Sequence, residues 1–118
     1  MASSPLYVRL RMLVRDAPAA DFQFDEITLK NAIVLALRSM YGRVGAAAHA
    51  VDLLAIEADE GLALELEGVR SSLAIVCLEE SSMVPVRAAL TLCSRVNRVE
   101  CSFEVCGVSS TLLGLACD

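Results

Sequence analysis

The sequence predicts an α+β fold, a ferredoxin-like βαββαβ sandwich in which two helices pack on one face of an antiparallel sheet. Alternating apolar and polar residues, typical of strands with one buried face, occupy 6–15 and 99–105. Between them lie two segments with apolar residues at helical spacing, at 25–41 and 82–96. A chain of 118 residues suffices for one such domain, which we expect to span residues 1–118.

The first strand is predicted over residues 6–15, where apolar side chains occupy every second position. The opposite face of this strand carries three arginines, Arg9, Arg11 and Arg15. Residues 16–21, in which a proline lies between two aspartates, predict a connecting loop after the strand.

The first helix is predicted from Asp25, whose carboxylate suits the N-cap, to Tyr41. Gly42 follows at the position where a residue with positive φ ends a helix, and the residues from Gly42 to Ala47 predict a loop. One apolar stripe of the helix is expected to face the core. A second apolar set, which core packing does not require, predicts a partner surface formed by Ile27, Val34 and Tyr41.

Three strand-like segments are predicted in the middle of the chain, at 51–57, 62–67 and 73–78. The first of them is apolar on both faces, which is typical of a central strand. The pattern leaves open whether the three segments form one long twisted hairpin or a three-stranded meander.

The second helix is predicted from Ser82 to Val96, with Ser81 or Ser82 as its N-cap. Its apolar stripe contains Met83, Val86, Leu90 and Cys93. The last strand, which carries Phe103 on its apolar face, is followed by a short apolar tail at 112–115.

The composition predicts a protein that works with a partner. The chain is 56% hydrophobic, more than a domain of this size can bury, and the excess suits an interface. The net charge is −5, whereas binding nucleic acid unaided normally requires a basic protein. Only one of the ten basic residues is lysine, Lys30, and the nine arginines favour bidentate phosphate contacts.

Several classes of site are not predicted. The five cysteines are odd in number and form no C-x-x-C pair, so neither a disulfide framework nor a zinc site is expected. Sequence spacing pairs no nucleophile with the single histidine, His49, and places no carboxylate to orient its ring. No glycine-rich phosphate loop occurs in the sequence. We expect no catalytic residue, metal or cofactor. The amino-terminal residues do not resemble a secretory signal, and the longest apolar run, 32–37, is too short to cross a membrane.

From Tyr7 to Leu115 the chain resembles the small ferredoxin-like protein subunits of ribonuclease P and ribonuclease MRP, a family found in archaea and, as two paralogues, in eukaryotes. The segments that carry the resemblance are Tyr7-Val8-Arg9-Leu10, Tyr41-Gly42-Arg43-Val44-Gly45-Ala46-Ala47, Ala74-Ile75-Val76-Cys77, Val86-Arg87-Ala88-Ala89-Leu90-Thr91-Leu92 and Cys106-Gly107-Val108-Ser109-Ser110-Thr111. The end of the chain at Asp118 favours the shorter eukaryotic paralogue.

The resemblance implies a non-catalytic subunit of a particle whose RNA cleaves phosphodiester bonds. Such a particle removes the 5′ leader of precursor tRNA or, in its MRP form, processes precursor rRNA. The implied partners are the catalytic noncoding RNA, a barrel-fold subunit, and a paralogous small subunit or a second copy of this chain. The implied location is the nucleus or nucleolus in a eukaryote and the cytoplasm in an archaeon, with no membrane association.

Two sets of residues are therefore candidates. The candidate RNA-binding residues are Arg9, Arg11, Arg43 and Arg98. The candidate partner-interface residues are Ile27, Val34, Tyr41, Met83, Val86 and Phe103. The acidic charge favours a scaffold role over binding RNA alone. The alternative is a free-standing ferredoxin-like dimerisation or regulatory ligand-binding module, which a stable homodimer without RNA would indicate.

Overall fold

The computed structural model describes residues 4–15, 24–58, 69–96 and 99–116. Within these ranges the chain forms a five-stranded antiparallel sheet with the order β2-β3-β1-β5-β4. The strands are β1 (Pro5–Arg15), β2 (Val51–Ala58), β3 (Val69–Glu79), β4 (Arg95–Val96) and β5 (Val99–Ser109). The helices are α1 (Glu26–Ala47), α2 (Met83–Leu92) and α3 (Leu112–Ala116). The ferredoxin-like fold predicted from the sequence is confirmed.

Strand β1 lies at the centre of the sheet, paired with β3 on one side and β5 on the other. Its alternation places Val8, Leu10, Met12 and Val14 on one face, which we call the inner face, and all four are buried. Helices α1 and α2 pack on this inner face and complete a single aliphatic core. The opposite face, which carries Arg9 and Arg11, is called the outer face here.

Helix α1 starts as predicted. The Asp25 carboxylate accepts a hydrogen bond from the Thr28 backbone N–H at 2.7 Å, and this contact lowers the pKa of the carboxyl group. Gly42 has φ 73° and ψ 179°, so the predicted positive φ is confirmed. The predicted loop from Gly42 to Ala47 is wrong, because the chain resumes helical conformation after the kink. A Cβ atom on Gly45 would lie 2.8 Å from the Cβ of Tyr41, which shows how closely this turn approaches the helix.

The conformation of Gly42 leads to a prediction about stability. Gly42→Ala should lower the free energy of unfolding by about 1–3 kcal/mol, because this φ/ψ combination is essentially restricted to glycine. The cost is conformational, since an added Cβ would meet no atom within 4 Å. Urea denaturation measures it, with Ser39→Ala at an exposed site of α1 as the control. An equal, small change in both variants would contradict the prediction.

Strand β2 is an edge strand, so its predicted central position is wrong. Its neighbour β3 pairs with both β2 and β1, which leaves the far edge of β2 without a partner among the described residues. The register shifts near Leu54, whose side chain is half exposed. The predicted strand at 62–67 lies outside the described residues. The sequence left open whether this region forms a long hairpin or a meander. Strands β2 and β3 pair directly and antiparallel, as the two strands of a hairpin do.

Helix α2 is shorter than predicted. It ends at Leu92, because Cys93 is extended and the Cys101 N–H donates to the Ser94 carbonyl at 3.1 Å, which turns the chain into β4 beside β5. Ser82 occupies the predicted N-cap position, but its hydroxyl makes no capping hydrogen bond.

The carboxyl-terminal residues pack against the outer face of the sheet. The apolar tail is helix α3, and Leu115 is 1% exposed. A Cβ on Gly107 would lie 3.3 Å from the Leu115 side chain, and Gly107 pairs with Arg9, whose side chain belongs to the outer face. Helix α3 therefore covers part of the outer face, opposite α1 and α2.

Candidate partner and nucleic-acid interfaces

Arg9 has an internal role on the outer face. Its Nη2 donates to the Leu115 carbonyl oxygen at 3.2 Å, and its buried Nε has no hydrogen-bond partner among the described residues. The guanidinium group thus holds α3 against the sheet. This contact was not predictable from local sequence, because the two residues are separated by more than a hundred positions.

The other candidate arginines are dispersed. Arg11 forms an ion pair with Glu104 across β1 and β5, at 3.5 Å. The pair is partly exposed, and such pairs contribute little to stability. Arg43 lies in the helical turn after the kink, is exposed, and belongs to the helix layer rather than the outer face. Arg98 lies outside the described residues. The structure therefore does not bring Arg9, Arg11 and Arg43 to one surface.

Two of the predicted interface residues belong to the core. Val86 is 1% exposed and Phe103 is 9% exposed, and both pack within the core cluster. This corrects their assignment to a partner surface, because neither side chain reaches a partner while the chain is folded. Phe103 pairs with Met12 of β1 on the inner face, and Val86 lies on the side of α2 that faces the sheet.

The other predicted interface residues are accessible to different degrees. Ile27 is 76% exposed, which is consistent with a surface role. Val34 is half-buried, and Tyr41 and Met83 are half-buried against the core.

A polar corner joins α1, the turn that follows it and the start of α2. The Tyr41 hydroxyl donates to the Pro85 carbonyl oxygen at 2.7 Å, and His49 Nδ1 lies 3.0 Å from the buried Ser82 hydroxyl. The rings of Tyr41 and His49 meet edge to face, with centroids 5.7 Å apart. These contacts explain the single histidine as a structural residue. The sequence contained no signal for them, because they join three separate elements.

A groove of about 250 Å³ lies beside this corner, between α1 and the start of β2. Aliphatic side chains of both elements form part of its lining, and Lys30, Arg38 and Arg43 lie around it with one carboxylate, Asp52. The complete lining is Lys30, Ile33, Val34, Leu37, Arg38, Arg43, Ala46, Ala47, His49, Ala50, Val51 and Asp52.

The charges of this acidic chain are segregated. No aspartate or glutamate occurs at 27–51 or at 81–99, the segments that contain almost all of α1 and α2. The exposed basic residues of these segments within the described part of the chain are Lys30, Arg38, Arg43, Arg87 and Arg95. Because both helices pack on the inner face of the sheet, the cations of α1 and α2 belong to one basic layer, whereas Arg95 lies on β4 opposite Glu100. The pattern is visible in the sequence, but net charge alone conceals it.

Comparison with known proteins identifies the family. The family model described as the Rpp14/Pop5 family matches residues 7–115. The chain belongs to the Rpp14/Pop5 family. This is a family of protein subunits of ribonuclease P and ribonuclease MRP, particles in which the RNA is catalytic. The resemblance noted in the sequence is therefore confirmed.

A solved structure shares the fold of this Rpp14/Pop5 chain. A chain in the cryo-EM structure of yeast ribonuclease MRP is similar with a TM-score of 0.67 at 14% identity, covering 95% of this chain and 78% of that chain. An amidase of the hydantoinase/carbamoylase family from Burkholderia phymatum gives a TM-score of 0.43 at 12% identity, covering 92% of this chain and 30% of that chain. The latter similarity is too weak to bear on function. No curated protein matches the chain significantly.

The four cysteines in the described part of this Rpp14/Pop5 chain are free thiols. Burial raises the pKa of Cys101 to about 12, with a further contribution from neighbouring Cys93, so the Cys101 thiol stays protonated at neutral pH. Cys77 and Cys93 are half-buried and Cys106 is exposed, and none of the four described cysteines is in a disulfide. Of these four cysteines, Cys101 alone is buried.

Neither a metal site nor a membrane helix is found in the described ranges of the chain. No group of three or more histidine, cysteine, aspartate or glutamate side chains there could hold a metal ion. None of the described helices is both long and apolar enough to span a bilayer.

Proposed function

We propose that this chain is a non-catalytic protein subunit of a ribonuclease P or ribonuclease MRP particle. It would help to hold the catalytic RNA in shape for removal of the 5′ leader from precursor tRNA or, in the MRP form, for processing of precursor rRNA. The observation that carries the proposal is the match of residues 7–115 to the Rpp14/Pop5 family.

The partners we propose are the noncoding RNA of the particle, a barrel-fold subunit, and a paralogous small subunit or a second copy of this chain. The yeast structure with the same fold comes from ribonuclease MRP, which supports residence in such a particle. Exposed apolar side chains on the helix layer, Ile27 among them, suit contacts with protein partners. The corresponding location is the nucleus or nucleolus in a eukaryote and the cytoplasm in an archaeon.

The RNA contacts of this chain are proposed for the second helix and the residues that follow it. Arg87 and Arg95 are exposed, and no carboxylate occurs at 81–99, although Glu100 lies opposite Arg95 in the pairing of β4 with β5. Arg98, in the same segment, completes this proposed set. Arg9 and Arg11 are less suitable because one donates to the Leu115 carbonyl and the other pairs with Glu104.

A native pull-down tests the proposed function. The tagged full-length chain should recover a noncoding RNA and a barrel-fold subunit, identified by RNA sequencing and mass spectrometry. A stable homodimer that recovers neither would overturn the proposal and favour the free-standing dimerisation or ligand-binding module.

The salt dependence of binding to the recovered RNA tests the proposed contacts. Arg87→Gln combined with Arg95→Gln should reduce the slope of log K against log salt by about 1.5, since two phosphate contacts are lost. Lys30→Gln combined with Arg38→Gln is the matched control, because it removes the same charge from α1. An equal change of the slope in both double variants would show that overall charge, rather than direct contact by Arg87 and Arg95, controls binding.

A further inference from the structure

The groove between α1 and β2 combines an aliphatic floor with a basic rim. Ile33, Val34, Leu37 and Val51 provide an aliphatic floor, of which Val34 and Val51 remain partly accessible. A volume of about 250 Å³ accommodates a few side chains rather than a whole domain. The groove therefore suits a short segment of chain that inserts apolar side chains.

The rim of this groove is basic in a chain that is otherwise acidic. Lys30 and Arg38 lie two helical turns apart on α1, and the kink at Gly42 brings Arg43 to the same groove. None of the three cations forms an ion pair with another described residue. Asp52 is the one carboxylate of the lining, so the rim has an excess of positive charge. Such a rim attracts carboxylates and repels a basic segment.

The floor distinguishes a protein segment from RNA as the occupant. Single-stranded RNA is held by stacking its bases on flat groups, and the floor of the groove is aliphatic, so only the guanidinium groups of Arg38 and Arg43 at the rim could stack on a base. The only aromatic ring of the lining is that of His49, which is already engaged with Tyr41 and Ser82. An amphipathic peptide instead places apolar anchors in such a floor and its charged side chains on the rim.

We propose that the α1–β2 groove docks an acidic segment of a partner protein, with aliphatic side chains on the floor and carboxylates at Lys30, Arg38 and Arg43. This inference concerns protein binding and stands apart from the RNA contacts proposed for α2. Failure of the native pull-down to recover RNA would leave it intact. Failure of peptide binding would likewise leave the proposed ribonucleoprotein function intact.

Fluorescence anisotropy with a labelled synthetic peptide tests the proposal. The probe is a peptide of about 15 residues with leucines every three or four positions among glutamates. We expect it to bind the full-length chain, and Lys30→Gln combined with Arg38→Gln to weaken binding about ten-fold. Arg87→Gln combined with Arg95→Gln removes the same charge outside the groove and should change the affinity less than about two-fold. Circular dichroism checks that both double variants remain folded.

Two further probes separate the roles of charge and apolar contact. A peptide with serine in place of each leucine should bind at least about ten-fold more weakly, because it cannot fill the aliphatic floor. Equal binding of both peptides would overturn the proposal. An oligouridylate of similar length should bind more weakly than the leucine-containing peptide, and tighter binding that depends on Lys30 and Arg38 would assign the groove to RNA instead. Absence of any peptide binding would also overturn it.

Discussion

Replacing Val86 with aspartate is expected to unfold the chain. Val86 is 1% exposed and lies on the side of α2 that faces the sheet, within the hydrophobic core cluster. An unpaired charge buried in this way costs about 3–5 kcal/mol. That cost is comparable with the whole free energy of unfolding of a small domain, about 5–15 kcal/mol. Loss of the cooperative thermal transition, monitored by circular dichroism, is the result we expect.

Ile27→Asp is the matched control for this prediction. Ile27 was placed with Val86 among the candidate interface residues, but its side chain is 76% exposed. The same substitution there should change the free energy of unfolding by less than about 0.5 kcal/mol. If Ile27 contacts a protein partner, the variant should be folded yet deficient in the native pull-down. A folded Val86→Asp variant with normal stability would show that our assignment of Val86 to the core is wrong.

Replacing Leu115 with alanine is expected to lower the free energy of unfolding by about 2–5 kcal/mol. The side chain is 1% exposed and lies against the sheet at Gly107, so its removal leaves a cavity beneath α3. The backbone carbonyl that accepts from Arg9 is unchanged by this substitution, which restricts the loss to packing. Urea denaturation with a constant m value measures the effect.

Leu113→Ala provides the comparison on the same helix. Leu113 is 76% exposed, and its truncation should cost less than about 0.5 kcal/mol. Similar stability of the two variants would mean that α3 is not fixed on the outer face in solution. Detachment of α3 would also release Arg9 from the Leu115 carbonyl and restore it as a candidate for RNA binding.

Local patterns predicted the elements that depend on near neighbours in sequence. Strand β1 and the first part of β5 follow from strict alternation, and the start of α1 follows from Asp25 as an N-cap. Gly42 was predicted to have positive φ, and it does. The helical turn that follows it was missed, because its position depends on packing against Tyr41.

Elements whose limits depend on distant partners were predicted less well. The apolar character of β2 suggested a central strand, yet position in a sheet is decided by which strands pair, and β3 takes the place beside β1. Helical periodicity continued past Leu92, but pairing near Ser94 and Cys101 ended α2 there. These errors have one cause, since pairing partners far along the chain override local propensity.

The candidate sites show the same division. The sequence by itself determined the family resemblance, the fold class, the apolar excess and the absence of carboxylates from 27–51 and 81–99. Only the tertiary structure decided that Val86 and Phe103 are core residues, that Arg9 holds α3, and that three cations surround one groove. Residue type and spacing record which groups are present and which face of an element they occupy. Which of those faces are covered depends on contacts between residues far apart in sequence, which only the folded chain brings together.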